Sequence, residues 1–298
     1  MLEFLTPDRM ANAICLDKNF KGFVVLVEGK KDLKLYDRFI DKSSAKIVPT
    51  FGKYNLKEVY TLLTKRDFPR KIGLRDADFL RIGGNPKYDP AYAEEIFATD
   101  FHDSEIMMIK SHACRNLLRV IIDDAKLSDF EQRNGLLLRD FAFNLCYSIG
   151  CLRLANKRFD LGLSFKPDKP EGNRIKFKSF ICNKTGGYLG DDRLVNTVFE
   201  YSKNRGNIVA PKDLISEKLA VVMAESHPAD EMVCGHDMSE VLTILVRDVL
   251  KSASKLLSNS DCIEDMLILG FDAKEFSKTQ LFSKLATWEN SSGNKILL

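Results

Sequence analysis

The unbroken apolar run Phe23–Val27, closed by Gly22 before it and by Glu28-Gly29 after it, constrains this chain more than any other feature. A segment with no polar side to give to water reads as a short strand of a parallel sheet covered on both faces. Directly after it, Leu33, Leu35, Tyr36, Phe39 and Ile40 recur at helical spacing. The alternation then repeats. Ala45–Val48 reads as a second strand, Phe51–Asn55 as a turn, and Leu56, Val59, Tyr60, Leu62 and Leu63 as the apolar stripe of a second helix. Lys71–Leu74 makes a third strand that runs into Arg75-Asp76-Ala77-Asp78-Phe79. A loop carrying Gly83, Gly84, Pro86 and Pro90 leads to a fourth strand at Glu95–Thr99, after which Asp103 or Ser104 caps a helix with Ile106, Met107 and Ile109.

Strands alternating with helices at this interval describe βαβ units in an open parallel sheet. The expectation is therefore an α/β chain with a Rossmann-like domain over residues 1–112 and a mostly α-helical domain over 113–298. One stretch of the second half is not helical in pattern: two alternating arms around a Pro-Gly turn predict a β-hairpin inserted at about 160–183. The chain has 298 residues, 45% of them hydrophobic and 29% charged, with no low-complexity tract, which suits two ordered domains of ordinary size.

Charge is informative only locally. The net value of +3 neither demands nor excludes a polyanionic partner. Basic residues cluster at 53–71 and again at 166–184, the second cluster interleaved with Phe165, Phe177 and Phe180. Both patterns suit a phosphate backbone with stacked bases, and both suit a plain solvated face. Seven cysteines without a C-x-x-C pair, and no signal peptide at the N-terminus, describe a reduced, cytoplasmic protein. No apolar run is long enough to span a membrane. The four histidines do not stand at zinc-ligand spacing with the cysteines. Cys146 and Cys151 read as buried, inert thiols, Trp288 as a core anchor, and Asp237 as the cap of a helix with His236 packed beneath it.

In an open α/β sheet, ligands bind at the carboxyl ends of the strands. Glu28 stands at such an end, as do Asp76 and Asp78 after the third strand and Asp100 and Asp103 after the fourth. On extended backbone, residues i and i+2 point to the same side, so Asp76 and Asp78 are expected to converge. Carboxylates brought together repel and keep their protons unless a cation neutralises them, and hard oxygen ligands favour Mg²⁺ or Mn²⁺. The same acids also serve as helix caps or as partners of Lys30, Lys31 and Arg75, and that reading stays open beside the metal site.

VEGKKD, FGKYN and LRDADF, in this order and setting, resemble the Toprim fold, whose hallmark is a Glu after the first strand and D-x-D after the third. VEGKKDLKLY, IGLRDADF, TDFHDSEIMM, VCGHDMSEVL and LFSKLATWE further resemble Toprim nucleases related to those of overcoming-lysogenization-defect systems, in particular the effector nucleases of the PARIS anti-phage system. The resemblance implies that Glu28, Asp76 and Asp78 hold one or two Mg²⁺ or Mn²⁺ ions. It implies that Asp32 reaches a second ion, with Asp100, Asp103 and Glu105 as further ligands. Lys53 matches a basic residue that stabilises transition-state charge, although the usual Gly-Gly-Lys here reads Phe51-Gly52-Lys53. Lys30, Lys31, Arg75, Lys176 and Lys178 are candidate nucleic-acid contacts.

By the same resemblance the chain is a toxin held inactive by an ABC-type ATPase sensor subunit (AriA-like), which on release forms a homodimer and cleaves host tRNA. No G-x-x-x-x-G-K-[ST] occurs, so the chain carries no P-loop of its own. On the residues alone, two other readings stand beside the ribonuclease: a non-catalytic interaction module with a structural ion or none, and a DNA-nicking Toprim enzyme.

Overall fold

Strands and helices alternate from the start of the described chain. The computed structural model describes residues 6–83, 92–167 and 172–298. Its first part runs α1 (Pro7–Leu16), β1 (Phe23–Val27), α2 (Lys30–Tyr36), β2 (Ala45–Pro49), α3 (Lys53–Lys65), β3 (Lys71–Arg75), β4 (Ile96–Ala98) and α4 (Ser104–Ile109). Helices follow: α5 (His112–Ile121), α6 (Asp124–Asn134), α7 (Leu138–Phe159), α8 (Asp191–Lys203), α9 (Lys212–Ala224), α10 (Ala229–Met232), α11 (Gly235–Ile244), α12 (Ser260–Gly270), α13 (Ala273–Phe276) and α14 (Gln280–Ser292).

Two compact units result. Among the described residues, one comprises those up to Ala77, 92–107 and Phe271–Leu298, and the other comprises 78–83 and Met108–Gly270. The division differs from the expected boundary near residue 112, because the C-terminal segment belongs to the sheet unit rather than to the helical one.

In the first unit all four strands are parallel, in the order β2-β1-β3-β4. β1 is central, with Val24 paired to Lys46 of β2 and Lys71 of β3. Successive side chains point to opposite faces. Val24 and Leu26 pack with Met10, Ile14, Leu56, Val59 and Leu63 from α1 and α3. Val25 and Val27 are buried as completely on the other side, so from Val24 onward the run has no position that water reaches, and none is polar. Strand order also fixes where a ligand fits. The chain leaves β1 toward β2 on one side and later returns to place β3 on the other, which opens a crevice between the carboxyl ends of β1 and β3.

The C-terminal segment joins this unit through aromatic packing. Phe39 stacks on Phe276 with ring centroids 4.4 Å apart and meets Phe271 edge-on at 6.0 Å. Leu297 bridges to Ile40, and the Leu298 N–H donates to the Phe39 carbonyl at 3.0 Å. Trp288, half-buried, meets Phe23 edge-on at 5.2 Å and donates its indole N–H to Glu95 at 3.3 Å.

The second unit is helical. α7 forms its long central element, with Leu145, Cys146, Ile149, Cys151 and Leu152 all buried. Gly150 lets another backbone approach, since a Cβ there would lie 2.5 Å from the Met232 carbonyl oxygen of α10. Arg153 grips Asp237 of α11 with two bonds, each 2.7 Å. Asp237 therefore does not cap its helix: α11 begins at Gly235, and the carboxylate turns inward to Arg153. His236 instead contacts Glu264 at 2.8 Å.

No β-hairpin forms from the described parts of 160–183; residues 168–171, which hold its turn, lie outside the described residues. Leu161, Leu163, Ile175 and Phe177 do alternate inward, but their backbone partners are not each other. The Ala210 N–H donates to the Leu161 carbonyl, Leu163 N–H donates to the Asn156 side chain and Ser164 N–H to the Ser202 hydroxyl, while Phe177–Ser179 forms a 3₁₀ turn. Periodicity reported burial correctly and pairing wrongly. Among the described residues no helix is long and apolar enough to cross a membrane.

Candidate metal centre

The crevice between β1 and β3 is acidic. Val27 ends β1, and Glu28 follows with one carboxylate oxygen accepting the Asp76 backbone N–H at 3.1 Å. Asp76, the residue after β3, in turn accepts the Ser104 N–H at 3.0 Å, at the first residue of α4. Asp32 closes the first turn of α2 by accepting the Gly29 N–H at 2.8 Å. Its other oxygen lies 3.3 Å from the Ser104 hydroxyl, which stands at the same distance from Glu105. One hydroxyl proton serves one of these two carboxyls at a time, so the second contact closes when a carboxyl itself carries a proton. Glu28, Asp32, Asp76 and Glu105 are thus joined through two backbone N–H groups and one serine.

Protonation follows from that crowding. Burial raises the Asp32 carboxyl to about 7, with the Glu105 charge as the second cause. Asp76 is also raised, first by burial and then by Asp32, Glu28, Asp103 and Glu105. Tyr36 lies one helical turn beyond Asp32, only 2% exposed, and among the described residues its hydroxyl has no hydrogen-bond partner. Burial raises its pKa, and the charges of Asp32, Asp76, Glu105 and Asp100 add to the effect, which places the hydroxyl beside the same acids. A buried donor without a partner is costly unless a ligand or water completes it. Four carboxyl groups meeting in one crevice, with those of Asp32 and Asp76 raised above the ordinary range, offer hard oxygen ligands that fit a divalent ion such as Mg²⁺ or Mn²⁺.

The neighbouring loop is strained. At the end of β2, Phe51 (φ 59°) and Gly52 (φ 130°) both take positive φ. A Cβ at Gly52 would meet nothing within 4 Å, so backbone conformation rather than space demands glycine there. The turn is fastened to β1, since the Gly52 N–H donates to the Glu28 carbonyl at 2.8 Å and the Thr50 N–H to that of Val27. Lys53 follows as the first residue of α3, its ammonium 5.6 Å from the Tyr54 ring.

Several expected site residues stand elsewhere. Asp100 accepts the Gln280 and Leu281 N–H groups at 2.8 and 2.7 Å, so it caps α14 rather than reaching a metal. Asp103 is 5% exposed and caps α4 through the Ile106 N–H at 2.9 Å, while its charge still acts on Asp76. Asp78 has φ 48° and begins the segment that belongs to the second unit, so the extended-backbone argument for its convergence with Asp76 does not hold. Arg75 is no surface contact: it is 2% exposed, its guanidinium 4.0 Å from the Tyr92 ring and its Nε donating to the Asp76 carbonyl. Lys178 pairs with Asp248 at 2.6 Å. Lys30 and Lys176 are exposed, and Lys31 is half-buried.

Sequence reasoning missed the parts played by Ser104 and Tyr36. Tyr36 had a signal: it is the one polar-tipped residue of an apolar stripe and stands four residues after Asp32, hence on the same helix face. Ser104 had none beyond its place at a helix start. No protein-family model matches this sequence, and no curated protein matches it.

Proposed function

We propose that the sheet unit is a Toprim-type, metal-dependent endonuclease of the AriB type, which cleaves RNA, with tRNA as the substrate. The observation that carries the reading is the convergence of Glu28, Asp32, Asp76 and Glu105 at the strand-order switch point, beside the partnerless Tyr36 hydroxyl. A divalent ion held there supplies Lewis acidity and a nucleophile at neutral pH.

The chain's own residues have separable roles. Glu28 and Asp76 are oriented by backbone donors, so their oxygens are fixed before any ion arrives. Asp32, which shares Ser104 with Glu105, holds a proton that would leave on ion binding. Lys53, at the head of α3, brings positive charge to the strained loop after β2 and stabilises charge developing on a phosphodiester. Asp78 enters this reading on the motif alone. Control by an ABC-type ATPase and activity as a homodimer in anti-phage defence belong to the same proposal, on the resemblance alone.

The test is a cleavage assay on total tRNA and on supercoiled plasmid, in Mg²⁺ or Mn²⁺ against EDTA. Loss of intact tRNA that needs both the metal and Glu28 supports the reading. Equal cleavage by folded, nuclease-free Glu28→Ala protein would sink it, and nicking of plasmid alone would move it to DNA.

A further inference from the structure

The helical unit carries a basic groove that the metal centre does not account for. α8 has two faces. Leu194, Val195 and Val198 are buried, whereas Arg193, Asn196, Thr197, Glu200, Tyr201 and Asn204, spaced by threes and fours, line one wall of a groove of about 750 Å³. The segment 173–179 lines it too, with Asn173, Arg174, Lys176 and Ser179, and so does Arg205. Four cations therefore face one groove whose single carboxylate is Glu200.

The pairing within the groove is uneven. Glu200 is answered by Lys212 at 3.1 Å, and Arg174 is committed to Glu240 and Asp261. Lys176 and Arg193 are both exposed, and among the described residues neither has an ion-pair partner. A solvated helix face ordinarily interleaves its charges with opposite ones at i±4. Here unanswered cations from two elements meet in a concavity, which focuses positive potential and favours an anion.

The remaining lining is suited to a polymer. Asn173, Asn196 and Asn204 offer amide donors and acceptors, and the Tyr201 ring holds the Arg205 guanidinium at 5.2 Å. From Arg193 to Asn204 the helix runs about 16 Å, enough for several consecutive nucleotides. We infer that this groove binds the sugar-phosphate backbone of a single RNA strand. The choice of RNA as the polymer rests on the nuclease reading, whereas the groove's charge does not.

Binding is measured by fluorescence anisotropy with a short fluorescein-labelled single-stranded RNA, on the full chain in EDTA so that no cleavage intervenes. At 0.1 M salt each phosphate contact contributes about fivefold through counterion release, so the double variant Lys176→Gln/Arg193→Gln binds about 25-fold more weakly. Its log-log salt slope falls by about 1.4. The charge-preserving Lys176→Arg/Arg193→Lys retains binding, as do Glu28→Gln and the off-groove Lys255→Gln/Lys284→Gln. Wild-type protein that ignores RNA overturns the inference, as does a groove double variant that binds within about twofold of wild type with an unchanged salt slope. Groove variants that bind normally in a protein that still cleaves would remove the groove alone. RNA held by the groove in a protein that does not cleave it when Mg²⁺ or Mn²⁺ is supplied would remove the nuclease alone.

Discussion

Replacing Asp32 by Asn should stabilise the metal-free protein while removing its response to metal. In the folded state the Asp32 carboxyl keeps its proton up to about pH 7, whereas in the unfolded chain it ionises near 3.8. A carboxyl with a raised folded pKa contributes stability that is fully present below the unfolded value and lost as pH climbs through the folded one. Metal-free wild type therefore weakens between about pH 4 and pH 7, by about 2 kcal/mol at pH 5 and up to about 4 kcal/mol once pH passes 7. Asparagine keeps an oxygen for the Gly29 N–H and carries no charge to desolvate, so Asp32→Asn escapes that loss. Trp288, the one tryptophan, sits in the sheet unit against Phe23 and reports its unfolding. Urea denaturation in EDTA, followed by tryptophan fluorescence across this pH range, should show the two curves diverging as pH rises. Added Mn²⁺ should then restore wild type and leave the variant unmoved. Parallel wild-type and Asp32→Asn profiles would refute the reasoning, because they would mean that Asp32 ionises in the folded protein as freely as in the unfolded chain.

Two further outcomes follow from the helical unit. Arg153→Ala should cost about 3–5 kcal/mol, since it strands the Asp237 carboxylate, 5% exposed, without its two bonds; Arg153→Met with Asp237→Leu should recover most of that in urea denaturation followed by far-ultraviolet circular dichroism, which reports the helices. Thiol alkylation near neutral pH should mark Cys182 first, its pKa lowered to about 7 mainly by the Thr185 hydroxyl. Burial pushes Cys114 and Cys151 up to about 12 and raises Cys146 as well, so mass spectrometry should find these three unmodified until the protein is denatured.

What the sequence revealed divides along physical lines. β1 was legible because a strand buried on both faces leaves an unbroken apolar run, and Glu28 was legible because that run stops abruptly; β3, with Lys71 and Arg75 at its ends, was legible from the strand–helix alternation around it. The return of Phe271–Leu298 to the sheet unit was not, because an amphipathic stripe states that a face is buried without saying against what. Leu161 and Leu163 show the same limit: alternation fixed their burial, while the side chains of Asn156, at the end of the preceding helix, and of Ser202, 38 residues beyond Ser164, took backbone bonds of Leu163 and Ser164 that a hairpin needs. Asp100 and Asp76 look alike as strand-end acids, and only the N-terminus of α14, 180 residues on, separates a cap from a ligand. The pattern at Asp78 failed on a single backbone torsion, since one residue in the left-handed region ends the alternation on which i and i+2 geometry depends.

The most direct measurement is a Mn²⁺ titration of the full chain near neutral pH, followed by electron paramagnetic resonance of the free ion and by proton release. Wild type should bind one or two ions saturably and release protons as it does so, because Asp32 and Asp76 hold them in the metal-free state. Glu28→Gln and Asp76→Asn should lose that binding while staying folded. A wild-type protein that takes up no Mn²⁺, or that binds it equally well without Glu28 and Asp76, would contradict the account.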